Sequence, residues 1–409
     1  MRTSVRNCLA GVLCAAFAQV THALTQDITA VFTPNPANAL KNEFLNTTPI
    51  SGFCAGFGHA ICKSRGLFSI QAPLGGSSPD LGPGVPVIYA HHTNPRNGAM
   101  FKVPSEWRDV QVTHTRTGEM ETVQMRVSGI GQATVTRPGI HVWPGGGFTW
   151  VYAPVPCITT GLASGGGVNA RFFWLVPEGA GACSVTPIED TTRFAFSSMD
   201  YAYELKTPNP LGMSSGQYTG TLDYTIGPGG DFDFGDVVIV ADSSMKFNFT
   251  LDVQHALKVE LPPGGNRVEL LPQGGWQAWL NQGRKPVRLF RDQTFNISAS
   301  SRFKMQLECQ YHDGSNACSL YEPLSGHAVP LNISVSLPNG LTDPTGQPVN
   351  RRPLLRDGNG TELFQPGFYV ERKPGTLHFE IARDQVEEML SGSGKTYRGT
   401  VTVIWDSEV

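Results

Sequence analysis

Residues 397–406 carry the feature that most restricts the fold. Tyr397, Gly399, Val401, Val403 and Trp405 fall on one side, and Arg398, Thr400, Thr402, Ile404 and Asp406 on the other. A two-residue period belongs to a strand with one buried face. The same rhythm recurs along the chain. "WRDVQVTHTR" alternates, turns at Thr117-Gly118, and alternates again through Val123, Met125 and Val127. "NARFFWLVP", "TRFAFSSMDYAYEL" and "KFNFTLDVQHALKVEL" are rich in aromatic and β-branched residues, which suit a pleated surface. With 46 Gly and 30 Pro in 409 residues, turns between short strands are frequent. The expected class is all-β. One stretch, "IARDQVEEML", has helical spacing through Val386, Met389 and Leu390, with Asp384 placed to cap it and Glu387 three residues on.

The first 23 residues read as a secretory signal peptide: Arg2 and Arg6, then a small apolar run from Cys8, then Thr21-His22-Ala23. No later stretch has the ~20 apolar residues of a membrane-spanning helix. Net charge is −3, which gives no electrostatic case for nucleic acid. Export makes the six remaining cysteines, Cys54, Cys62, Cys157, Cys183, Cys309 and Cys318, disulfide candidates. Several pairings are open. The most economical joins nearest neighbours, with Asp313-Gly314 turning a hairpin between the last two.

"SGQYTGTLDYTIG" at 215–227 echoes "GKTYRGTVTVIWD" at 394–406. Each reads Tyr-x-Gly-Thr followed by an alternating strand, as if two domains close alike. The expected organisation is a signal peptide over 1–23, an N-terminal domain over 24–243 and a C-terminal domain over 244–409, with the boundary near Ser243-Ser244.

No catalytic set can be assembled from spacing, so the chain reads as a non-enzyme without cofactor or metal. Gly212-Met213-Ser214-Ser215-Gly216 fits G-x-S-x-G, but prolines precede it and a strand follows, so the nucleophile-elbow context is missing. Gly394-Lys395-Thr396 lacks the first P-loop glycine, since Met389 stands there. "DFDFGD", with Asp231, Asp233 and Asp236, lacks the EF-hand spacing and reads as a solvated acidic loop at the domain junction.

Three stretches together resemble a known family: "KTPNPLGMSSGQYTGTLDYTIGPGGDFDFGD", "FTLDVQHALKVELPPGGNRVELLP" and "YRGTVTVIWDSEV". They are similar to the CblD-like initiators and tip adhesins of alternate chaperone–usher pili, the class 5 colonization-factor and cable pilus family. The resemblance is strongest from about 205 onward. It implies two elongated immunoglobulin-like β-sandwiches, an adhesin domain followed by a pilin domain lacking its last strand. It also implies four partners: a periplasmic chaperone, an outer-membrane usher, a major pilin that donates the missing strand, and a host-surface glycan or protein. The expected place is the pilus tip, reached through the periplasm. Tyr397, Gly399, Val401, Val403 and Trp405 then border a donor-strand groove.

Related adhesins bind receptors through exposed basic residues. Arg96, Arg137 and Arg171, with His91, His92 and His141 behind them, are the candidates here, although no motif carries such positions across. Two other readings stand beside this one: a non-adhesive fibre subunit, and an exported hydrolase using Ser214. The stretch "LTQDITAVF" at 24–32 is either a donor strand or the first strand of the N-terminal domain.

Overall fold

The computed structural model describes residues 23–56, 58–392 and 394–407, the side chains of 147–149 excepted. The signal-peptide reading therefore lies outside the described residues, apart from Ala23.

The chain folds as an all-β protein with separate hydrophobic cores in its first and second parts. The first part is built on β1 (Ala23–Phe32), β2 (Arg108–His114), β3 (Met120–Arg137), β4 (Asn169–Leu175), β5 (Arg193–Lys206), β6 (Gly216–Thr225) and β7 (Ser244–Val253). In its 12-stranded sheet the backbone order runs β5–β3–β2–β6–β7–β1, with β4 pairing the far half of β3. β2 and β3 form the hairpin that the alternation anticipates, from Arg108 opposite Met125 to Thr113 opposite Met120. Gly118 turns it at φ +77°, a left-handed conformation that glycine adopts without a Cβ clash. The sheet curls onto itself. Tyr201 of β5 meets Phe247 of β7 edge-on at 5.6 Å, although three strands lie between them in the sheet.

β1 settles the alternative left open by "LTQDITAVF" for this molecule. It pairs in parallel with β7 over ten residues, and Ile28, Ala30 and Phe32 are buried in the first core. The same pairing corrects the domain boundary. β7 lies between β1 and β6, and its Met245, Phe247, Phe249, Leu251 and Val253 belong to the first core. The change of core falls after Val253. Residues 254–256 make the junction. There His255 hydrogen-bonds Met213 O at 2.9 Å and Ser300 Oγ at 3.1 Å, with its ring edge-on to Phe32 at 5.6 Å.

The second part contains β8 (Leu257–Glu260), β9 (Leu271–Pro272), β10 (Leu289–Ala299), β11 (Lys304–Cys309), β12 (Cys318–Glu322), β13 (His327–Ser336), β14 (Val370–Ile381) and β15 (Val401–Asp406). One sheet runs β8–β10–β14–β13–β12, with β9 also on β10. The other pairs β11 with β15. Phe295, Ile297, Met305, Val329, Ile333 and Val335 are buried between them.

The disulfides are Cys54–Cys62, Cys157–Cys183 and Cys309–Cys318, each between neighbours in sequence. The last does not span a hairpin, however. Its cysteines end β11 and begin β12, which lie in different sheets, so the bond ties one sheet to the other. Among the described residues three short α-helices occur where the sequence offered one: α1 (His59–Arg65), α2 (Gln277–Gln282) and α3 (Arg383–Met389). In α3 the N-cap is Ala382, without a side-chain cap, and Asp384 sits inside the first turn instead. Val386 is the residue α3 buries.

Candidate functional site

β15 pairs along one edge with β11, from Lys304 opposite Asp406 to Cys309 opposite Val401. Among the described residues no strand pairs with its other edge. Beside it runs a groove of about 580 Å³. The floor is apolar: Phe295 of β10, Leu331 of β13, and Leu377 and Phe379 of β14, all buried. One wall is Gly399, Val401, Val403 and Trp405, joined by Thr400 and Thr402. Val259, Leu261, Val268 and Leu270 line it as well, from the segment that leaves β8 and returns at β9. Trp405 is anchored by Phe295 at 5.0 Å and Phe303 at 5.7 Å.

The groove therefore presents two unmet demands. An unpaired strand edge offers N–H and C=O groups that need partners. The half-buried apolar walls, Val401, Val403 and Trp405 on one side and Val259, Val268, Leu270 and the more exposed Leu261 on the other, offer surface that gains about 25 cal/mol per Å² when removed from water. An extended peptide with alternating apolar side chains meets both at once. Of the groove residues expected from sequence, Tyr397 does not line it. Its hydroxyl bonds His327 Nδ1 at 2.8 Å, with the rings edge-on. The alternation put Tyr397 on the correct face, but the chain enters β15 only at Val401.

The echo acquires a physical meaning. β6, which contains the first copy, pairs with β2 on one edge and with β7 along ten residues on the other. β15, which contains the second copy, has a neighbour corresponding to β2 and none corresponding to β7 among the described residues.

The six basic candidates do not form one patch. His91, Arg137 and His141 gather around residues 187–192. His91 N donates to Pro187 O at 3.0 Å, Thr192 N to Arg137 O at 3.0 Å, and Ile188 N to Val142 O at 2.7 Å. His141 Nε2 lies 3.7 Å from Glu189 Oε2. His91 takes φ +55°, uncommon for a residue with a side chain. Exposed Tyr89 and Ile188 share this end of the first part, and the sequence reading missed both. Their signal is an isolated apolar residue inside a turn-rich loop, which is weak. His92 is tied to Asn94 O through Nδ1 at 2.9 Å.

Arg96 is occupied. Its guanidinium grips Asp236 at 2.7 Å and Asp233 at 2.8 Å, and the hydrogen bonds it donates to Asp236 and then Asp233 hold its pKa above the ordinary value. Burial pushes the Asp233 carboxyl up, but hydrogen bonds from Arg96 and from the N–H groups of Gly229 and Gly235 outweigh it, and its pKa falls below the usual range. "DFDFGD" is thus neither a solvated loop nor at the junction. Asp231 pairs with Arg108, and the segment bridges to Lys102 inside the first part. Among the described residues no cluster of metal-ligating side chains occurs.

Arg171 stands apart on β4, its guanidinium 5.7 Å from the Phe53 ring and close enough to Asp200 to lower its pKa. Burial nonetheless dominates and pushes the Asp200 carboxyl up to about 6. Ser214 precedes β6 with its N–H bonded to the Tyr218 hydroxyl at 2.8 Å. A strand follows, so no nucleophile elbow is formed.

No family model and no curated protein matches this sequence. Solved structures that are similar include CfaE, the adhesive subunit of CFA/I fimbria of enterotoxigenic Escherichia coli. It shares 11% identity over 94% of this chain and 92% of that one, with a TM-score of 0.26. A chaperone–tip adhesin complex of CFA/I fimbriae biogenesis shares 11% identity over 95% and 97%, with a TM-score of 0.25. The CsuC–CsuE chaperone–tip adhesion subunit complex of archaic Csu pili of Acinetobacter baumannii shares 9% over 94% and 99%, with a TM-score of 0.23. At TM-scores this low, the likeness assigns no role to any residue.

Proposed function

We propose that this chain is an exported tip subunit of a chaperone–usher pilus that starts fibre assembly and carries a receptor-binding face. The observation that carries the proposal is the groove: an unpaired strand edge beside an apolar trough, in the part of the sequence where the family resemblance is strongest. A periplasmic chaperone first fills it, and at the outer-membrane usher the strand of a major pilin replaces the chaperone's. The loop end bearing Tyr89, His91, Arg137, His141 and Ile188 is the proposed receptor face, with a host-surface glycan or protein as ligand. Arg96 contributes by bracing its own loop against Asp233 and Asp236.

Two variants in the producing cell separate the halves of this reading. Val403→Arg puts a charged side chain into the groove wall and is expected to abolish fibres while the subunit is still exported. Alanine at His91, Arg137 and His141 together is expected to leave fibres intact by electron microscopy and reduce adherence about tenfold or more, as loss of several contacts at about 1 kcal/mol each implies. Normal fibres with Val403→Arg contradict the assembly role. Unchanged adherence of the triple variant contradicts the receptor face.

A further inference from the structure

Between β9 and β10 the chain leaves the sheet at Pro272 and returns at Leu289, making α2 on the way. From Leu270 to Arg291 it contains no Asp or Glu, but it carries Arg284, Lys285, Arg288 and Arg291. Gly283, at φ +65°, ends α2 and turns the chain back, so that Arg284 and Lys285 share a pocket with Trp279. That pocket is about 150 Å³, with Pro272, Ala278, Pro286 and Val287 as its apolar lining. Arg288 is partly committed, 3.3 Å from Glu380 and 4.4 Å over the Phe290 ring. Arg284 and Lys285 are exposed, and no acid among the described residues pairs with them. Leu280 and Val287, 71% and 59% exposed, add apolar surface beside them. The chain links the pocket to the groove: Leu270 lines the groove and Pro272, two residues on, lines the pocket.

We propose that this excursion docks an acidic segment of the polypeptide whose strand fills the groove. The inference rests on the groove reading above. A single-sign cluster bordering an apolar trough selects its occupant by charge: an acidic flank is attracted, a basic flank repelled. The apolar pocket takes the stem of a carboxylate side chain while the Arg284 and Lys285 cations meet its head. The occupant's strand supplies burial, and its acidic flank, held at the Arg284 and Lys285 pocket, supplies register.

The test uses the full chain and three synthetic peptides sharing one alternating apolar strand. One carries four glutamates before the strand, one carries them after it, and one carries serines on both sides. Binding is read by fluorescence anisotropy at low and high salt. One glutamate peptide is expected to bind about tenfold more tightly than the serine peptide at low salt. The advantage should shrink as the Debye length falls from about 10 Å at 0.1 M to a few Å near 1 M. In the Arg284→Glu, Lys285→Glu double variant the advantage disappears, while the serine peptide binds as before. Because both positions are exposed, that unchanged binding also shows that the variant is folded. Equal binding of all three peptides to the unmodified chain overturns the acidic-flank inference and leaves the groove reading standing. Failure of all three to bind overturns both. Retention of the glutamate advantage in the double variant places the anion site elsewhere and overturns the assignment.

Discussion

Supplying a strand to the groove raises the thermal midpoint of the second part of the chain by about 10 °C or more. Four or five alternating apolar side chains, each stabilising by about 1.5–3 kcal/mol on burial, contribute of order 10 kcal/mol before the entropy of ordering the strand is subtracted. Even a surplus of about 3 kcal/mol moves the midpoint of a 150–250-residue domain by roughly 6–12 °C. The structure says why the gain is available. Phe295, Leu331, Leu377 and Phe379 already form a packed floor, so the donor completes a core instead of organising a new one. The experiment attaches an alternating apolar peptide through a flexible linker on the C-terminal side of β15 and follows unfolding by calorimetry. A matched peptide with aspartate at the inward positions is the control, and it should give no shift. An equal shift from both peptides, or none from either, would count against the groove as a strand acceptor.

The second large effect is expected far from the groove, at Asp200. Its carboxyl is buried on β5, and burial raises it to about 6 from an ordinary value near 3.8, against the opposing pull of Arg171 and hydrogen bonds from the Phe53 backbone and Gln71. A carboxyl whose folded pKa is raised adds stability below its unfolded pKa. That contribution is lost as pH rises from about 3.8 to about 6. Two pKa units correspond to about 3 kcal/mol. Asp200→Asn keeps an acceptor for the Phe53 N–H and removes the buried charge. It is therefore expected to stabilise the first part by about 2–3 kcal/mol at pH 7.5 and by much less at pH 4. Urea titrations at both pH values check the sign. A variant less stable than the parent at pH 7.5 would show that the Arg171 attraction outweighs the burial cost.

The local features were the legible ones. The β2–β3 hairpin follows from alternation and a glycine turn within one stretch of sequence. The three disulfides join cysteines only 8, 26 and 9 residues apart. What escaped depended on distant pairing. β7 reads as a good strand anywhere, but its place in the first sheet is decided by β1, whose Ala23 stands opposite Ser244. Arg96 looked like a free cation because its carboxylates lie 137 and 140 residues away. Cys309 and Cys318 looked like a hairpin because spacing does not show that their strands belong to different sheets. The groove was half visible. Alternation identified the face of Val401, Val403 and Trp405, but not the apolar floor opposite, which β10, β13 and β14 supply. The cations of 284–291 went unread because a short basic run gains meaning only beside the groove.

Amide hydrogen exchange along β15 tests the central claim most directly. In a strand paired on one side, every second N–H points to the open edge. In the chain alone, alternate amides of Val401–Asp406 should therefore exchange quickly, while those directed at β11 are protected. With the donor peptide bound, the fast set should become as slow as its neighbours, because a new strand takes those N–H groups as hydrogen-bond donors. If the alternate amides are already protected in the free chain, or stay fast when the peptide is bound, the groove does not accept a strand.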